Sequence, residues 1–205
     1  RQVIKDHKRI IFNGNGYDES WIREATEQRG LLNLRTTPDA LPTILEKKNV
    51  DMLTTHKVFS VAEIQSRYEI TLENYCKSVN IEALTMVDMA RKEILPAVEA
   101  YVRDLSDTLR AKKAAVPGAA AKYETGLIAR LSALTDEIDD AAAALERAMI
   151  QYKAIGDITE AANMIRDVIL QKMAELRVPC DEAETLTAEK YWPFPTYGDL
   201  LFGVR

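Results

Sequence analysis

Ile128, Leu131, Thr135, Ile138, Ala142, Leu145, Met149 and Tyr152 follow one another at alternating steps of three and four residues. Apolar or small side chains at that spacing share one face only if the backbone is helical, and nearly four heptads of it demand a partner surface. The partner is encoded immediately downstream. Gly156 stops the helix, Asp157 with Glu160 caps a new one, and Ile158, Ala162, Ile165, Ile169, Met173 and Leu176 repeat the helical spacing. So short a turn brings the second helix back antiparallel on the first. That return gives the seam an intramolecular partner, which outweighs the other use of such a seam, an oligomerising coiled coil.

The rest of the chain follows the same logic. Arg1–Ile10 reads as the tail of a helix and Ile10–Phe12 as a short apolar stretch, broken by "NGNG" at Asn13–Gly16, where Asn and Gly tolerate positive φ. Asp18 or Ser20 caps a helix through Trp21 and Ile22 to about Gln28, stopped by Gly30. Thr37 as N-cap, Pro38 as the first helical residue and Asp39 in the first turn form a further start. Ser60 and Glu63 make a capping box for a helix ending near Lys77, and Ser78 or Asn80 opens a long helix over Ile81–Lys113. Its apolar positions are Ile81, Leu84, Leu95, Val98, Val102, Leu105 and Leu109, and Pro96 should kink it one turn earlier. "AAVPGAAA" at Ala114–Ala121 is the main internal break, and Pro179 ends the return helix. The expected fold class is all-α: a multi-helix bundle with a long kinked helix, an antiparallel helical hairpin and an irregular aromatic C-terminal strap. As one domain, residues 1–205 comprise N-terminal helices and loops (1–59), long helices (60–113), the hairpin (114–178) and the tail (179–205).

That tail, "EKYWPFPTYGDLLFGVR", holds five of the chain's fourteen aromatic residues. Pro193, Pro195, Gly198 and Gly203 argue against a regular helix. Tyr191, Trp192, Phe194, Tyr197 and Phe202 then require a surface to lie along, because each aromatic side chain removes roughly 150–250 Å² from water when buried. The expected host is the chain itself, around Trp21 and Tyr68.

Composition narrows the function classes. A formal net charge of −5 argues against nucleic acid, and no apolar run approaches a membrane span, so the cytoplasm is the expected location. Two cysteines far apart, Cys76 and Cys180, support neither a disulfide framework nor a zinc site. "NGNGY" lacks both a preceding strand and the spacing of a phosphate loop, so it reads as a structural turn. Arg67, Glu69, Glu73, Glu82, Asp88 and Arg91 read as solvated faces or interhelical ion pairs rather than a carboxylate metal cluster. His56 has no visible nucleophile partner. On these grounds the chain carries no self-sufficient active site.

Four blocks in order carry a resemblance: "HKRIIFNGNGYDESW" (7–21), "RGLLNLRTTPDALP" (29–42), "SRYEITLENYCKSVNIEALTMVDMARKEILPAV" (66–98) and "AEKYWPFPTYGDLLFGVR" (188–205). They resemble the C-terminal region of type III glutamine synthetases, with the match weakening across Ala111–Ala148. The resemblance implies a parent enzyme that joins ammonia to glutamate through γ-glutamyl phosphate, with ATP and Mg (or Mn), in stacked hexameric rings. It implies further that the metal and substrate residues precede this region, so no catalytic, cofactor-binding or metal residue is assigned. The missing initiator Met fits a C-terminal fragment. Asn13, Gly14, Arg35, Arg67, Tyr68 and Trp192 are family markers; Asn13, Asn15, Arg35, Trp192, Phe194 and Tyr197 are the candidates for lying near the active site or docking the domain. The implied role is architecture and subunit packing, with a free-standing helical adaptor as the alternative.

Overall fold

The computed structural model describes residues 1–8 and 11–203, apart from the side chain of Tyr197. No strand occurs among them, and well over half are helical. Ile10, the start of the expected apolar stretch, lies outside the described residues. The chain divides into two compact units, residues 1–40 and 41–205.

The first unit is short on core. It holds α1 (Gln2–Asp6), α2 (Glu19–Arg23) widening into a π-turn at Glu24–Gln28, and α3 (Thr37–Ala40). Asp18 caps α2 by accepting from the Ser20 N–H, and Gly30 leaves the helix at φ +68°, a conformation that favours glycine. Before α3 the cap is Thr36 rather than Thr37. Its hydroxyl pairs with Asp39 at 2.5 Å and accepts the Asp39 N–H at 3.3 Å, which moves the start by one residue. Among the described residues only Ala25 and Pro38 are buried in this unit.

The second unit carries the core. A 3₁₀ turn (Leu41–Leu45) and α4 (Lys47–Thr55) precede the Ser60 capping box, which opens α5 (Val61–Met89) as the sequence requires. The helix does not stop at Ser78 or Asn80. It runs on through a π-turn at Ala90–Ile94 into α6 (Leu95–Ala115). The reason is a stripe that crosses the expected break: Tyr68, Leu72, Cys76, Val79, Ala83, Val87, Ala90, Ile94 and Val98 are all buried. Their steps of 4, 4, 3, 4, 4, 3, 4 and 4 make an 11-residue repeat. At about 3.67 residues per turn this lies close to the α-helical period and keeps one face turned inward along the length of the helix. Ile81 (62% exposed) and Leu84 fall off that stripe, so they are not the core positions their spacing suggested. Pro96 perturbs the helix one turn earlier, at the π-turn Ala90–Ile94. The preceding turn widens so that the Leu95 N–H donates to Ala90, which leaves room where the proline ring would meet a carbonyl of the preceding turn.

The hairpin forms as expected. α7 (Lys122–Lys153) buries Leu131, Thr135, Ile138, Ala142, Leu145 and Met149, with Ile128 and Tyr152 partly covered at the two ends. Asp157 accepts from the N–H groups of Thr159 and Glu160 to start α8 (Ile158–Met164), and a π-turn at Ile165–Ile169 joins it to α9 (Leu170–Leu186). α7 packs along α9 and against α6, and α8 lies on α5, where the Tyr68 hydroxyl meets that of Thr159 at 3.1 Å.

Pro179 does not end the return helix; it sits buried inside α9. An interior proline costs about 3 kcal/mol. Against that, Leu176, Pro179 and Ala183 continue the buried face. Arg130 on α7 also grips Glu182 in a two-pronged pair, with both N–O distances 2.6 Å, and holds the last turns in place. The acidic stretch after Pro179 is therefore helix, and the tail begins near Thr187. Two helix-crossing ion pairs complete the frame: Arg91 with Glu146 at 2.6 Å, and Lys112 with the nearly buried Glu124.

Ile138 is fully buried in the α7 seam. Ile138→Ala should cost about 2–5 kcal/mol in urea denaturation, whereas Ile81→Ala, outside the stripe, should stay within about 0.5 kcal/mol.

Candidate functional site

The loop Asn13–Gly16 is built around an aromatic stack. The Phe12 ring lies on Trp21 at a centroid separation of 3.7 Å and an angle of 20°, and the Arg29 guanidinium sits 4.9 Å from the Trp21 ring. Glu24 fixes Arg29 by accepting from Nε at 2.9 Å and Nη2 at 2.5 Å. Gly14 passes beneath the Phe12 ring, where an added Cβ would stand 2.6 and 2.8 Å from ring carbons. Asn15 folds the next turn, its side-chain oxygen accepting the Tyr17 N–H and its carbonyl the Asp18 N–H. Asp18 then caps α2. Gly14 and Asn15, with their neighbours Phe12 and Asp18, thus hold the loop together, while Asn13 is exposed and makes no side-chain hydrogen bond among the described residues.

Arg35 sits at the end of a segment, Gly30–Arg35, that runs without helix, turn or bend. It is exposed and lines a shallow open depression with Glu19, Ile22, Arg23, Thr26 and Glu27. Acidic and basic side chains mix there.

The aromatic tail docks on α6, not around Tyr68 as its composition suggested. The Tyr191 ring lies 5.2 Å from Tyr101, and the Tyr191 hydroxyl donates to Asp104 at 2.9 Å. Lys190 reaches the same carboxylate at 3.3 Å while standing over the Tyr191 ring. The Tyr191 hydroxyl, then Lys190, hold the Asp104 carboxyl below its ordinary range, and burial pushes the Tyr101 hydroxyl up. Trp192 and Phe194 meet edge to face at 6.1 Å and pack on the hydrophobic core. The irregular strap ends sooner than its prolines and glycines suggest. Thr196 and Asp199 form a capping box for α10 (Tyr197–Phe202), a helix through Gly198 that leaves Leu200, Leu201 and Phe202 exposed. Tyr197 opens this helix; its side chain lies outside the described residues.

Trp192 and Phe194 therefore serve the core, Asn15 serves a turn, and Asn13 and Arg35 remain at the surface. The partners that hold the tail, Tyr101 and Asp104, carried no signal in the sequence. Asp104 is an ordinary exposed helix position until a distant tyrosine arrives. Three of the four helix carboxylates considered as metal ligands are engaged locally: Glu73 with Lys77, Asp88 with Lys92, and Glu69 as acceptor from Gln65. No group of three metal-ligating side chains occurs among the described residues.

The family model for the glutamine synthetase C-terminal domain matches residues 1–113. The chain belongs to that family. It is 40% identical over 209 aligned positions to a glutamine synthetase of Butyrivibrio fibrisolvens, covering all of this chain and 30% of that protein. It is 29% identical to a type-3 glutamine synthetase of Dictyostelium discoideum, over 98% of this chain and 28% of that protein. Against a glutamine synthetase of Bacteroides fragilis the identity is 28%, over 94% of this chain and 27% of that one. The chain thus spans less than a third of the length of the curated relatives it matches. The glutamine synthetase C-terminal match takes in the Asn13–Gly16 loop, the Arg35 segment and α5–α6; the hairpin lies beyond it.

The Tyr191–Asp104 contact predicts an acid-sensitive anchor for the tail. Asp104 has a depressed pKa, so its contribution is complete above the ordinary aspartate value of about 3.9 and is lost as pH falls through the lowered one. With Trp21→Phe leaving Trp192 as the sole tryptophan, its emission should report release of the tail only below about pH 3.9. Tyr191→Phe removes the largest stabiliser of the carboxylate and should move that release to higher pH; an unmoved profile would contradict the assignment.

Proposed function

We propose that this chain is the C-terminal architectural part of a type III glutamine synthetase. The observation that carries the reading is the commitment of its interior. The buried faces of α5, α6, α7 and α9 pack on one another, and the ion pairs of Arg91, Lys112 and Arg130 bind helix to helix. With the family match and the relatives' greater length, this supports a domain that shapes and packs an enzyme whose chemistry is done by other residues. The parent reaction is ligation of ammonia to glutamate through γ-glutamyl phosphate, with ATP and Mg or Mn, in the cytoplasm. The partners are its other domains and neighbouring subunits in stacked hexameric rings. A free-standing adaptor fits less well, because Tyr191, Trp192 and Phe194, the residues an adaptor would offer, lie on the chain's own helices. No helix of the described residues is long and apolar enough to cross a membrane.

Within that role, Asn13 and Arg35 are the residues we assign to the approach to the active site; exposed polar groups on well-anchored loops support that reading.

The 205-residue chain should form no glutamine from glutamate, ammonia and ATP. Activity above a mock preparation would overturn this division of labour. In the synthetase that contains this region, Asn13→Ala and Arg35→Ala should lower turnover with the melting temperature held. Normal turnover with a lowered melting temperature would assign both residues to folding alone.

A further inference from the structure

The first unit holds little core of its own. Across residues 1–40, only Ala25 and Pro38 are buried among the described residues. Ordering a residue costs roughly 1–2 kcal/mol of backbone entropy, and about 40 residues rarely supply enough core to meet it. Yet the Gly30–Arg35 segment is fixed at both ends. The Leu31 N–H donates to Ala25 at 2.9 Å where the π-turn ends, and Thr36 and Asp39 lock the start of α3. Between those anchors Leu31, Leu32 and Leu34 stand 54%, 69% and 40% exposed. Three leucines within four residues, held between two anchors and facing water, form the kind of apolar patch that marks an interface.

We propose that Leu31, Leu32 and Leu34 dock on an apolar surface of the synthetase region that precedes this domain in the same polypeptide. The inference rests on the architectural reading above and names the surface that reading leaves open. The occupant follows from length and order. The chain matches 30% of the Butyrivibrio protein, and the family is one of C-terminal domains, so the larger part of such an enzyme lies ahead of this unit. The unit with too little core is the chain's N-terminal one. Docking supplies the missing burial: each leucine taken fully from water contributes about 1.5–3 kcal/mol. It also explains how the neighbouring Arg35 is held in a fixed place relative to the enzyme's other residues.

Hydrogen exchange on two preparations tests this: the 205-residue chain, and the longer polypeptide in which its upstream region is retained. Exchange at the amides of Leu32, Asn33 and Leu34 should slow by about a hundredfold or more in the longer polypeptide. Leu32→Asp with Leu34→Asp should abolish that protection while α7 and α9 keep theirs. Equal exchange in the two preparations would overturn the proposal, as would protection already complete in the 205-residue chain, which would make its own helices the host. Glutamine formation by the longer polypeptide is assayed in parallel. Inactivity with the expected protection would count against the enzymatic reading alone; activity without protection would count against the docking alone.

Discussion

The structure depends on one match of periods. The 11-residue repeat from Tyr68 to Val98 keeps an apolar stripe on one side of a rod that runs from Val61 to Ala115. The heptad seam on α7 faces inward beside it, and α8 and α9 fold back to close the remaining sides. Remove the stripe and the hairpin has only itself to pack on. The ion pairs lie at the edges of this apolar contact, joining helices already in place. Exposed pairs of that kind are worth little alone, and their geometry, bidentate at Arg130–Glu182, sets register more than it adds stability.

Much of this was legible. The seam, its Gly156–Asp157 turn, the Ser60 capping box and the position of the Pro96 perturbation all appear as written, because each is set by residues within a few positions. The errors share a cause. Ser78 and Asn80 look like a helix start and Pro179 like a helix end, yet in both places a buried stripe carries the helix past the local signal. At α10 the bias ran the other way: prolines and glycines hid a Thr196–Asp199 box. The tail's need for a surface was visible in its aromatics. Its address was not, since Tyr101 and Asp104 lie nearly ninety positions upstream and meet Tyr191 only once the rod and hairpin are built.

The candidate site was legible as a set of family residues rather than as chemistry. Asn15 and Gly14 prove to be backbone devices, one folding a turn and the other making room for Phe12. Trp192 and Phe194 prove to be packing. Asn13 and Arg35 stand apart because nothing in their immediate surroundings explains them, while the loops that carry them are firmly braced. That contrast between the braced loop and the uncommitted side chain is what motivates the proposal that they serve the rest of a synthetase rather than this domain.

The central claim is that stripe, hairpin and tail form one cooperative core. It is tested most directly by urea unfolding of the Trp21→Phe chain, followed at once by far-ultraviolet circular dichroism and by Trp192 emission. A single coincident transition by both probes is the predicted result. Loss of the Trp192 signal well before the helical signal would contradict it, since the tail would then be an appendage resting on a core complete without it.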